Sequence, residues 1–334
     1  MRFSLSLNSE HGPVRQAVEL AKLAEEKGLE CVWYCQDLFK RDVWVFLTAV
    51  AAETRRIDLG TGIVNPYTVN PAELAMHAAT LDEFSDMRVR LGISVGAVEF
   101  LKWVGIKPRR PLSAMRESFD LIRRLIRGER VGHDGEVFKG WTRDAYLRFE
   151  PPREGIPLYL GAQSRYMTEL IGEIADGGLP LLFPPEYFDV VVERVRRGAD
   201  RAGRNLEDID LVGCIWFSVS EDPEKSKEAL RDLVTFYGPH LASDMISEIG
   251  LSPEDFDPIR RSISDRNYEE AKALMTDEMA DLAIHGTPDD CVDRLERLVD
   301  RGLEHVRFGP PLGPDPRKTI QLIGDEIIPH LKDK

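Results

Sequence analysis

Few side chains capable of acid, base or nucleophilic chemistry follow the short apolar runs that the sequence marks as strands. Asp37 and Arg165 are the clearly ionisable residues at such positions. No lysine stands where a Schiff base would need it, and no pair of histidines or cysteines stands there to bind zinc. Carboxylates are too few for a cage around a hard cation. These absences predict that a bound organic cofactor, and no metal, carries the reaction.

The segment Gly161-Ala162-Gln163-Ser164-Arg165 has the residue types of a phosphate site. Gly161 ends a predicted strand, and Ser164 stands where a helix cap is expected. Backbone N–H groups at a helix start, with a small residue and an arginine beside them, suit a phosphate. An ordinary capped helix explains the same residues. Asp37 is likewise explained either as a functional carboxylate or as an acid before the helix that contains VWVFL.

The stretch LGTGIV contains two glycines, Gly60 and Gly62, on either side of Thr61. Glycine weakens the interior of a strand, so it usually marks a bulge or a place where another group approaches the backbone closely. The pair therefore predicts such a bulge or close approach where this strand leaves the core.

Short apolar runs that alternate with amphipathic helices must position these residues. Eight runs are each followed by a helical pattern, at residues 2–7, 30–35, 57–64, 89–96, 156–163, 179–184, 209–219 and 305–310. Eight strand–helix units predict an α/β fold of the TIM-barrel type, whose chemistry lies at the carboxyl ends of the strands. A doubly wound sheet would need a glycine-rich turn after the first strand, and LNSEHG is not one.

We expect a single domain over residues 1–334, with two additions to the barrel. One is an excursion with a hairpin at about 129–155, and the other is a helical insertion at about 236–286. Long additions on a barrel usually build the substrate entrance or a subunit contact.

Charge and composition bear on possible partners and on the compartment. Lysine and arginine total 44 against 58 aspartates and glutamates, a net charge of −14, which argues against nucleic acid or an anionic membrane as partner. No segment is long and uncharged enough to span a bilayer. The four cysteines lack zinc spacing, and free thiols indicate a cytoplasmic protein.

Three stretches resemble a known family: LGTGIVNPYTVNPAELAMHAATLDEFS, GAQS and RFGPPLGPDPRKTIQLIGDEI. They are similar to the bacterial-luciferase-like superfamily, and within it to the methylenetetrahydromethanopterin reductases that depend on the deazaflavin coenzyme F420. The similarity runs nearly end to end, and its most specific parts are G-x-G-x-x-N-P-Y and the later G-P-D.

The resemblance implies a TIM barrel whose third strand ends in a bulge with a non-prolyl cis peptide at Gly62-Ile63. This bulge would press on the central ring of a flavin or deazaflavin. The segment Gly161–Arg165 would hold the cofactor phosphate. The resemblance also implies that the ring is faced by residues at the ends of the second and fourth strands, here Gln36, Asp37, Ser94 and Gly96.

Three acidic positions of the methanopterin reductases differ in this sequence. Ser6 stands where they carry a glutamate, Ala97 where they carry an aspartate, and Gln36-Asp37 where they read Asp-His. The resemblance therefore implies the cofactor better than the substrate.

The leading hypothesis is an oxidoreductase that transfers a hydride between C5 of coenzyme F420 and a small organic substrate, such as a methylenetetrahydromethanopterin. Asp37 is expected to act as proton donor, proton acceptor or ring anchor. Gln36, Asn65 and Ser6 are expected to form hydrogen bonds to ring or substrate, and Tyr67 to line the entrance.

Other functions fit the same residues. An FMN-dependent monooxygenase of the superfamily would use the same bulge, and a non-catalytic flavin-binding barrel would keep it for another purpose. An aldolase or isomerase would need a lysine, or a paired acid and base, that the strand ends lack. Family resemblance also implies a homodimer or homotetramer, and the apolar helix VWVFLTAVAAET suits a subunit interface.

Overall fold

In the computed structural model, which describes residues 1–332, nine parallel strands form one continuous sheet. They are β1 (Arg2–Leu7), β2 (Cys31–Tyr34), β3 (Asp58–Thr61), β4 (Val89–Ile93), β5 (Leu158–Ala162), β6 (Gly177–Leu182), β7 (Asp210–Val219), β8 (Ile284–Gly286) and β9 (His305–Pro311). The eight strands other than β8 close into a barrel: β1 to β7 pair in chain order, and β9 lies between β7 and β1. The predicted TIM barrel is confirmed.

Strand β8 lies outside the eight-stranded barrel and was not indicated by the sequence patterns. It pairs with Phe217–Val219 at the end of β7. The ladder between β7 and β9 shifts register between Ile215 and Phe217, so the last residues of β7 can accept this extra partner.

Helices follow the strands on the outside of the barrel. Those of the first half are α1 (Val14–Glu26), α2 (Val43–Glu53), α3 (Pro71–Phe84), α4 (Val98–Trp103), α5 (Pro111–Ile126), α6 (Arg165–Ile174) and α7 (Phe188–Ala202). Those of the second half are α8 (Pro223–Ala229), α9 (Arg231–Tyr237), α10 (Ser243–Ile246), α11 (Asp257–Ser264), α12 (Tyr268–Ala273), α13 (Asp277–Ala280), α14 (Pro288–Val299), α15 (Pro316–Leu322) and α16 (Ile328–Lys332), the last two joined by a π-helical turn at Ile323–Ile327.

Side-chain caps begin the two helices that follow the second and third strands. The Asp42 carboxylate accepts a hydrogen bond from the Val45 N–H at 2.9 Å at the start of α2. Asn70 does the same for the Ala72 N–H at 2.9 Å, and Pro71 supplies a first helical residue that needs no N–H partner. These caps place the helix starts directly behind the loops of the barrel mouth.

Alternate residues of each strand face the helices or the barrel interior. On β1, Phe3, Leu5 and Leu7 belong to the large apolar core between strands and helices. The intervening Ser4 and Ser6 are fully or almost fully buried and bond to residues of β9. The interior also contains large side chains such as Trp33 and Tyr159, whose rings meet edge to face at 5.1 Å. The barrel is therefore a filled core with polar members.

A charged network fills the amino-terminal end of the barrel. Asp210 accepts hydrogen bonds from the Arg2 guanidinium at 2.7 Å and from the Tyr159 hydroxyl at 2.7 Å, and it lies 3.0 Å from Nδ1 of His305. Burial alone would raise the pKa of Asp210, but the hydrogen bond from His305 and the charges of His305 and Arg2 hold it at about 2. An ionised carboxylate thus holds these side chains together at the end of the barrel opposite the carboxyl ends of the strands.

The two predicted additions have distinct structures. Residues 127–157 contain no helix or ladder strand, only an antiparallel bridge between His133 and Trp141. Residues 236–286 contain the end of α9, the short helices α10 to α13, and β8. No helix within residues 1–332 combines the length and apolar character needed to cross a membrane.

Candidate active site

Two cavities open among the carboxyl ends of the barrel strands and meet at three residues. Gly62, Leu181 and Arg307 line both of them. The larger cavity, of about 450 Å³, lies toward β4, β5 and α6. The smaller one, of about 220 Å³, lies toward β1, β7 and α9. Their junction divides the barrel mouth into two compartments.

The backbone just after β3 forms the ledge between the cavities. The peptide bond between Gly62 and Ile63 is cis, as the family resemblance implies. The Gly62 N–H donates to the Tyr34 carbonyl at 2.8 Å, and the Gln36 N–H donates to the Ile63 carbonyl at 3.3 Å. The Val64 N–H donates to the Gly92 carbonyl on the other side, at 2.9 Å. Both neighbouring strands therefore fix the position of this ledge.

The two glycines of β3 are explained by the barrel interior. A Cβ atom on Gly60 would lie 2.2 Å from the Trp33 ring, and one on Gly62 would lie 2.7 Å from Nη2 of Arg307. Any side chain at these positions would collide with a large buried group. The close approach that the sequence predicts therefore comes, in the structure, from the protein's own interior.

Most of the predicted cofactor-binding residues line the larger cavity. They are Gly62, Ile63, Ser94, Gly96, Gly161, Ala162, Gln163 and Ser164. Ser94 is held in place because its hydroxyl donates to the Gly161 carbonyl at 2.8 Å. Val95, Val98, Met167 and Leu179 supply apolar walls.

The start of α6 lies at one end of this cavity. Ser164 precedes the helix, and its side chain makes no capping hydrogen bond, so its hydroxyl and the first N–H groups of the helix can bind a ligand oxygen. Arg165 does not line the cavity, because its Nε donates to Glu169 at 3.1 Å. The same carboxylate is bonded by Arg201 at 3.0 Å, which holds it in this pair.

The smaller cavity holds the titratable groups. Asp37 lines it together with Glu10 and Lys40, whose ammonium lies 2.9 Å from a Glu10 carboxylate oxygen. Burial raises the pKa of Asp37, with Glu10 adding to the effect and Lys40 opposing it. Asp37 is therefore a carboxyl group that holds a proton more readily than an exposed one.

Three aromatic side chains form part of the wall of the smaller cavity. Phe183 and Trp216 stack with ring centroids 3.9 Å apart, and Tyr237 lies 6.1 Å from the Trp216 ring. All three line the smaller cavity. Such a wall suits a flat organic substrate and limits the access of water.

Ser6 reaches the floor of the smaller cavity, where it contacts Arg307. Nη2 of Arg307 donates to the Ser6 hydroxyl oxygen at 2.6 Å and lies 3.4 Å from the Gly62 carbonyl oxygen. Nη1 lies 3.5 Å from Sγ of Cys214. Ser6 thus occupies the predicted substrate compartment, but its hydroxyl already accepts a bond from a cation.

Besides Arg165, three predicted site residues line neither cavity. The Gln36 side-chain oxygen accepts a hydrogen bond from the Val43 N–H at 2.8 Å, at the start of α2. Asn65 accepts one from the Tyr67 N–H at 2.7 Å and donates to the Val95 carbonyl. The Tyr67 hydroxyl donates to the Arg109 carbonyl at 2.8 Å, and burial raises its pKa to about 12. These side chains fasten the loops around the site.

Several residues of the site had no signal in the sequence. Glu10, Lys40 and Tyr237 lie in loops or at a helix end far apart in the chain. Arg307 had a weak signal, since it is the charged residue at an interior position of the apolar strand HVRFGP.

The larger cavity fits a flat ring with an anionic tail. Its walls are apolar, its ledge is backbone, and a Cβ atom at position 161 would crowd the ledge, because it would lie 3.0 Å from Ile63. Hydrogen-bond donors for an anion stand at one end, at the start of α6. These features match a tricyclic cofactor with a phosphate group.

Known proteins share this architecture. Residues 1–305 match the family described as luciferase-like monooxygenase. The chain is 37% identical to 5,10-methylenetetrahydromethanopterin reductase of Archaeoglobus fulgidus, covering 93% of this chain and 94% of the relative. It is 31% identical to F420-dependent glucose-6-phosphate dehydrogenase of Mycolicibacterium fortuitum, covering 99% and 98%. The solved structure of coenzyme F420-dependent tetrahydromethanopterin reductase from Methanopyrus kandleri superposes with a TM-score of 0.91 at 32% identity, covering 98% and 99%.

Proposed function

Because the chain belongs to the luciferase-like monooxygenase family, we propose that it is an oxidoreductase that uses coenzyme F420 to transfer a hydride to or from a small organic substrate. The relatives named for dependence on F420 resemble this chain over nearly its whole length. The observation that carries the proposal is the pair of cavities that meet at the Gly62–Ile63 ledge, one suited to a ring with an anionic tail and the other to a substrate.

In this proposal the larger cavity binds the cofactor. Ile63 and Gly161 would contact the ring, and Ser164 with the first N–H groups of α6 would bind the phosphate. When bound, the deazaflavin donates or accepts the hydride. The fixed ledge orients the ring relative to the smaller cavity, which lowers the barrier through proximity.

Asp37 is the proposed proton-transferring residue. Its carboxyl group lines the substrate cavity, and burial raises its pKa toward the range in which a carboxyl can both give and take a proton. The Phe183–Trp216 stack, which lines the same cavity, would limit the access of water. Lys40, paired with Glu10, is placed to contact a polar part of the substrate at the entrance.

The proposed substrate resembles methylenetetrahydromethanopterin in being a flat heterocycle. The aromatic wall of the smaller cavity favours such a molecule. Relatives named as methylenetetrahydromethanopterin reductases support this class. The smaller cavity holds Asp37 and Ser6, two of the positions at which the sequence differs from those reductases, so a related heterocycle is included in the proposal.

A cofactor titration tests the proposal against its nearest alternative. Purified protein is mixed with F420 and, separately, with FMN, and binding is followed by absorbance and fluorescence. We expect saturable binding of F420 and at least tenfold weaker binding of FMN. Tighter binding of FMN, together with oxygen consumption, would favour the monooxygenase alternative. Binding of F420 without hydride transfer to any of a panel of heterocycles would favour a non-catalytic barrel.

The proposal includes a homodimer located in the cytoplasm. Exposed apolar side chains stand on α2 and α3, namely Val45 and Met76, with Phe84 and Met87 at the end of α3. Such a patch on neighbouring helices suits a subunit interface. All four cysteines are free thiols, which suits a reducing compartment.

A further inference from the structure

Arg307 is a buried arginine that has neither a carboxylate partner nor, unlike the equally buried Arg88, a full set of hydrogen bonds. Its side chain is only 7% exposed, and no carboxylate within residues 1–332 lies within ion-pair distance of it. Its Nε is buried and has no hydrogen-bond partner. Arg90, by contrast, pairs with Asp58 at 2.6 Å.

Within the described residues, the groups in direct contact with the Arg307 guanidinium are neutral. Ser6 and Gly62 offer oxygen atoms, and the Trp33 ring centroid lies 5.6 Å away. The Cys214 and Cys35 thiols are nearby, but desolvation raises the pKa of both, that of Cys35 to about 11, so neither supplies a thiolate at neutral pH. A buried cation that has neither a counterion nor a full set of hydrogen bonds is unfavourable, and a ligand anion would compensate for both.

The position of Arg307 tells where such a ligand group would lie. Arg307 lines both cavities and stands at the junction where they meet. The absence of a side chain on Gly62 leaves room for the guanidinium beneath the ledge. The cation therefore faces the place where a cofactor ring and a substrate would come together.

We propose that Arg307 binds a negatively charged group at the junction of the two cavities. This inference rests on the proposed function for the source of the anion, which is either negative charge carried by the carbonyl-bearing end of the deazaflavin ring or a carboxylate of the substrate. The guanidinium serves as counterion in both cases, and its neutral surroundings strengthen the attraction.

Two substitutions separate anion binding from a structural role. Arg307→Met removes the charge at similar volume, and Arg307→Lys keeps the charge. Arg88→Met is the matched control, because Arg88 is equally buried, lines neither of the two cavities, and donates to the carbonyls of Ser85 and Ile57. We expect Arg307→Met to melt, without ligand, at the wild-type temperature or above, and Arg88→Met to melt lower.

Ligand binding is then measured in two arms. The first titrates the protein with the phosphate-free deazaflavin riboside; the second titrates F420-saturated protein with benzoate, using benzamide as the neutral probe. If Arg307 binds negative charge on the ring, Arg307→Met should bind the riboside at least tenfold more weakly than wild type, and Arg307→Lys should restore that binding. If Arg307 instead binds a substrate carboxylate, Arg307→Met should bind the riboside as wild type does. The same variant should bind benzoate at least tenfold more weakly, and its binding of benzamide should be unchanged.

A third substitution tests the inference from the opposite direction. Ser6→Glu places a carboxylate beside the guanidinium, so we expect the ligand-free protein to have a higher melting temperature. We also expect Ser6→Glu to weaken, at least tenfold, the binding of whichever probe Arg307→Met binds more weakly, the riboside or benzoate. The inference is overturned if Arg307→Met binds both probes within twofold of wild type, or if it lowers the melting temperature as Arg88→Met does. Failure of the wild type to bind F420 would refute the proposed function, while benzoate binding to the cofactor-free protein would still test Arg307.

Discussion

At the residue scale, Asp37 is a carboxyl group of the smaller cavity whose environment favours its neutral form. It is half-buried, and burial raises its pKa above that of an exposed aspartate. The residue therefore combines two properties of a general acid, which are access to the cavity and a proton held at higher pH.

We expect Asp37→Asn to lower turnover about 100-fold, the usual contribution of a general acid or base. The affinity for F420 should change less than twofold, because Asp37 does not line the larger cavity. Steady-state kinetics and a fluorescence titration provide the two measurements. Unchanged turnover would exclude Asp37 from proton transfer.

The same substitution has a predicted effect on stability. Because the folded-state pKa of Asp37 is raised, the folded protein binds more protons than the unfolded chain, and the ionised carboxylate disfavours folding as pH rises through that range. Asp37→Asn should therefore melt higher than wild type at pH 8 and equally at pH 3. A gain in melting temperature that is largest at low pH would contradict the pKa direction.

At the element scale, the glycines in and just after β3 make room for large side chains of two other strands: Gly60 for Trp33 of β2, and Gly62 for Arg307 of β9. Apolar runs and helix caps are visible in a sequence, so the eight barrel strands and the loop residues around the larger cavity could be predicted. The inward orientation of the Arg307 side chain could not be predicted. A charged residue within an apolar strand gives the same sequence pattern whether its side chain faces the barrel interior or a loop. The anchoring role of Gln36 was also hidden, since it depends on where α2 begins.

Gly62→Ala should disturb this contact between strands. The added methyl would lie 2.7 Å from Nη2 of Arg307, the far end of a buried side chain that must shift, so we expect a loss of about 1 kcal/mol in the free energy of unfolding, the lower end of the usual cost of overpacking. Chemical denaturation measures it. Gly155→Ala is the control, because nothing lies within 4 Å of its added Cβ, and it should change stability by less than about 0.5 kcal/mol.

The network at the amino-terminal end of the barrel makes a separate prediction. Asp210→Asn leaves the Arg2 and His305 side chains without their carboxylate and should cost about 3 kcal/mol at pH 7. Since the folded-state pKa of Asp210 is lowered to about 2, its contribution is complete above the unfolded value near 4 and declines as pH falls toward 2. Chemical denaturation should show that the difference in free energy of unfolding between wild type and Asp210→Asn is smaller at pH 3 than at pH 7. Glu53→Gln, on an exposed pair with Lys22, should show almost no difference at either pH.

At the scale of the whole molecule, α2 and α3 present apolar side chains to solvent on adjacent helices. The ring centroids of Trp44 of α2 and His77 of α3 lie 5.1 Å apart, so the two helices that bear the exposed Val45 and Met76 are in contact. These two helices mark the surface that we propose as the interface.

We expect the double variant Val45→Glu, Met76→Glu to be monomeric if this surface joins two copies of the chain. Light scattering coupled to size exclusion should report half the wild-type mass, because two buried carboxylates oppose the interface. Tyr268→Glu changes an equally exposed side chain of α12 and should keep the wild-type mass. A wild-type protein that is itself monomeric at micromolar concentration would refute the dimer.

The pairing of β8 with the tip of β7 has a consequence for how this barrel acquires new substrates. The helices between these two strands form a segment tied to the barrel at both ends, and this segment supplies Leu233 and Tyr237 to the smaller cavity but no residue to the larger one. Substitutions within that segment would alter the wall of the smaller cavity and leave the lining of the larger one unchanged. With substrate and cofactor bound as proposed, the choice of substrate could then change without loss of the cofactor site, on opposite sides of a single arginine.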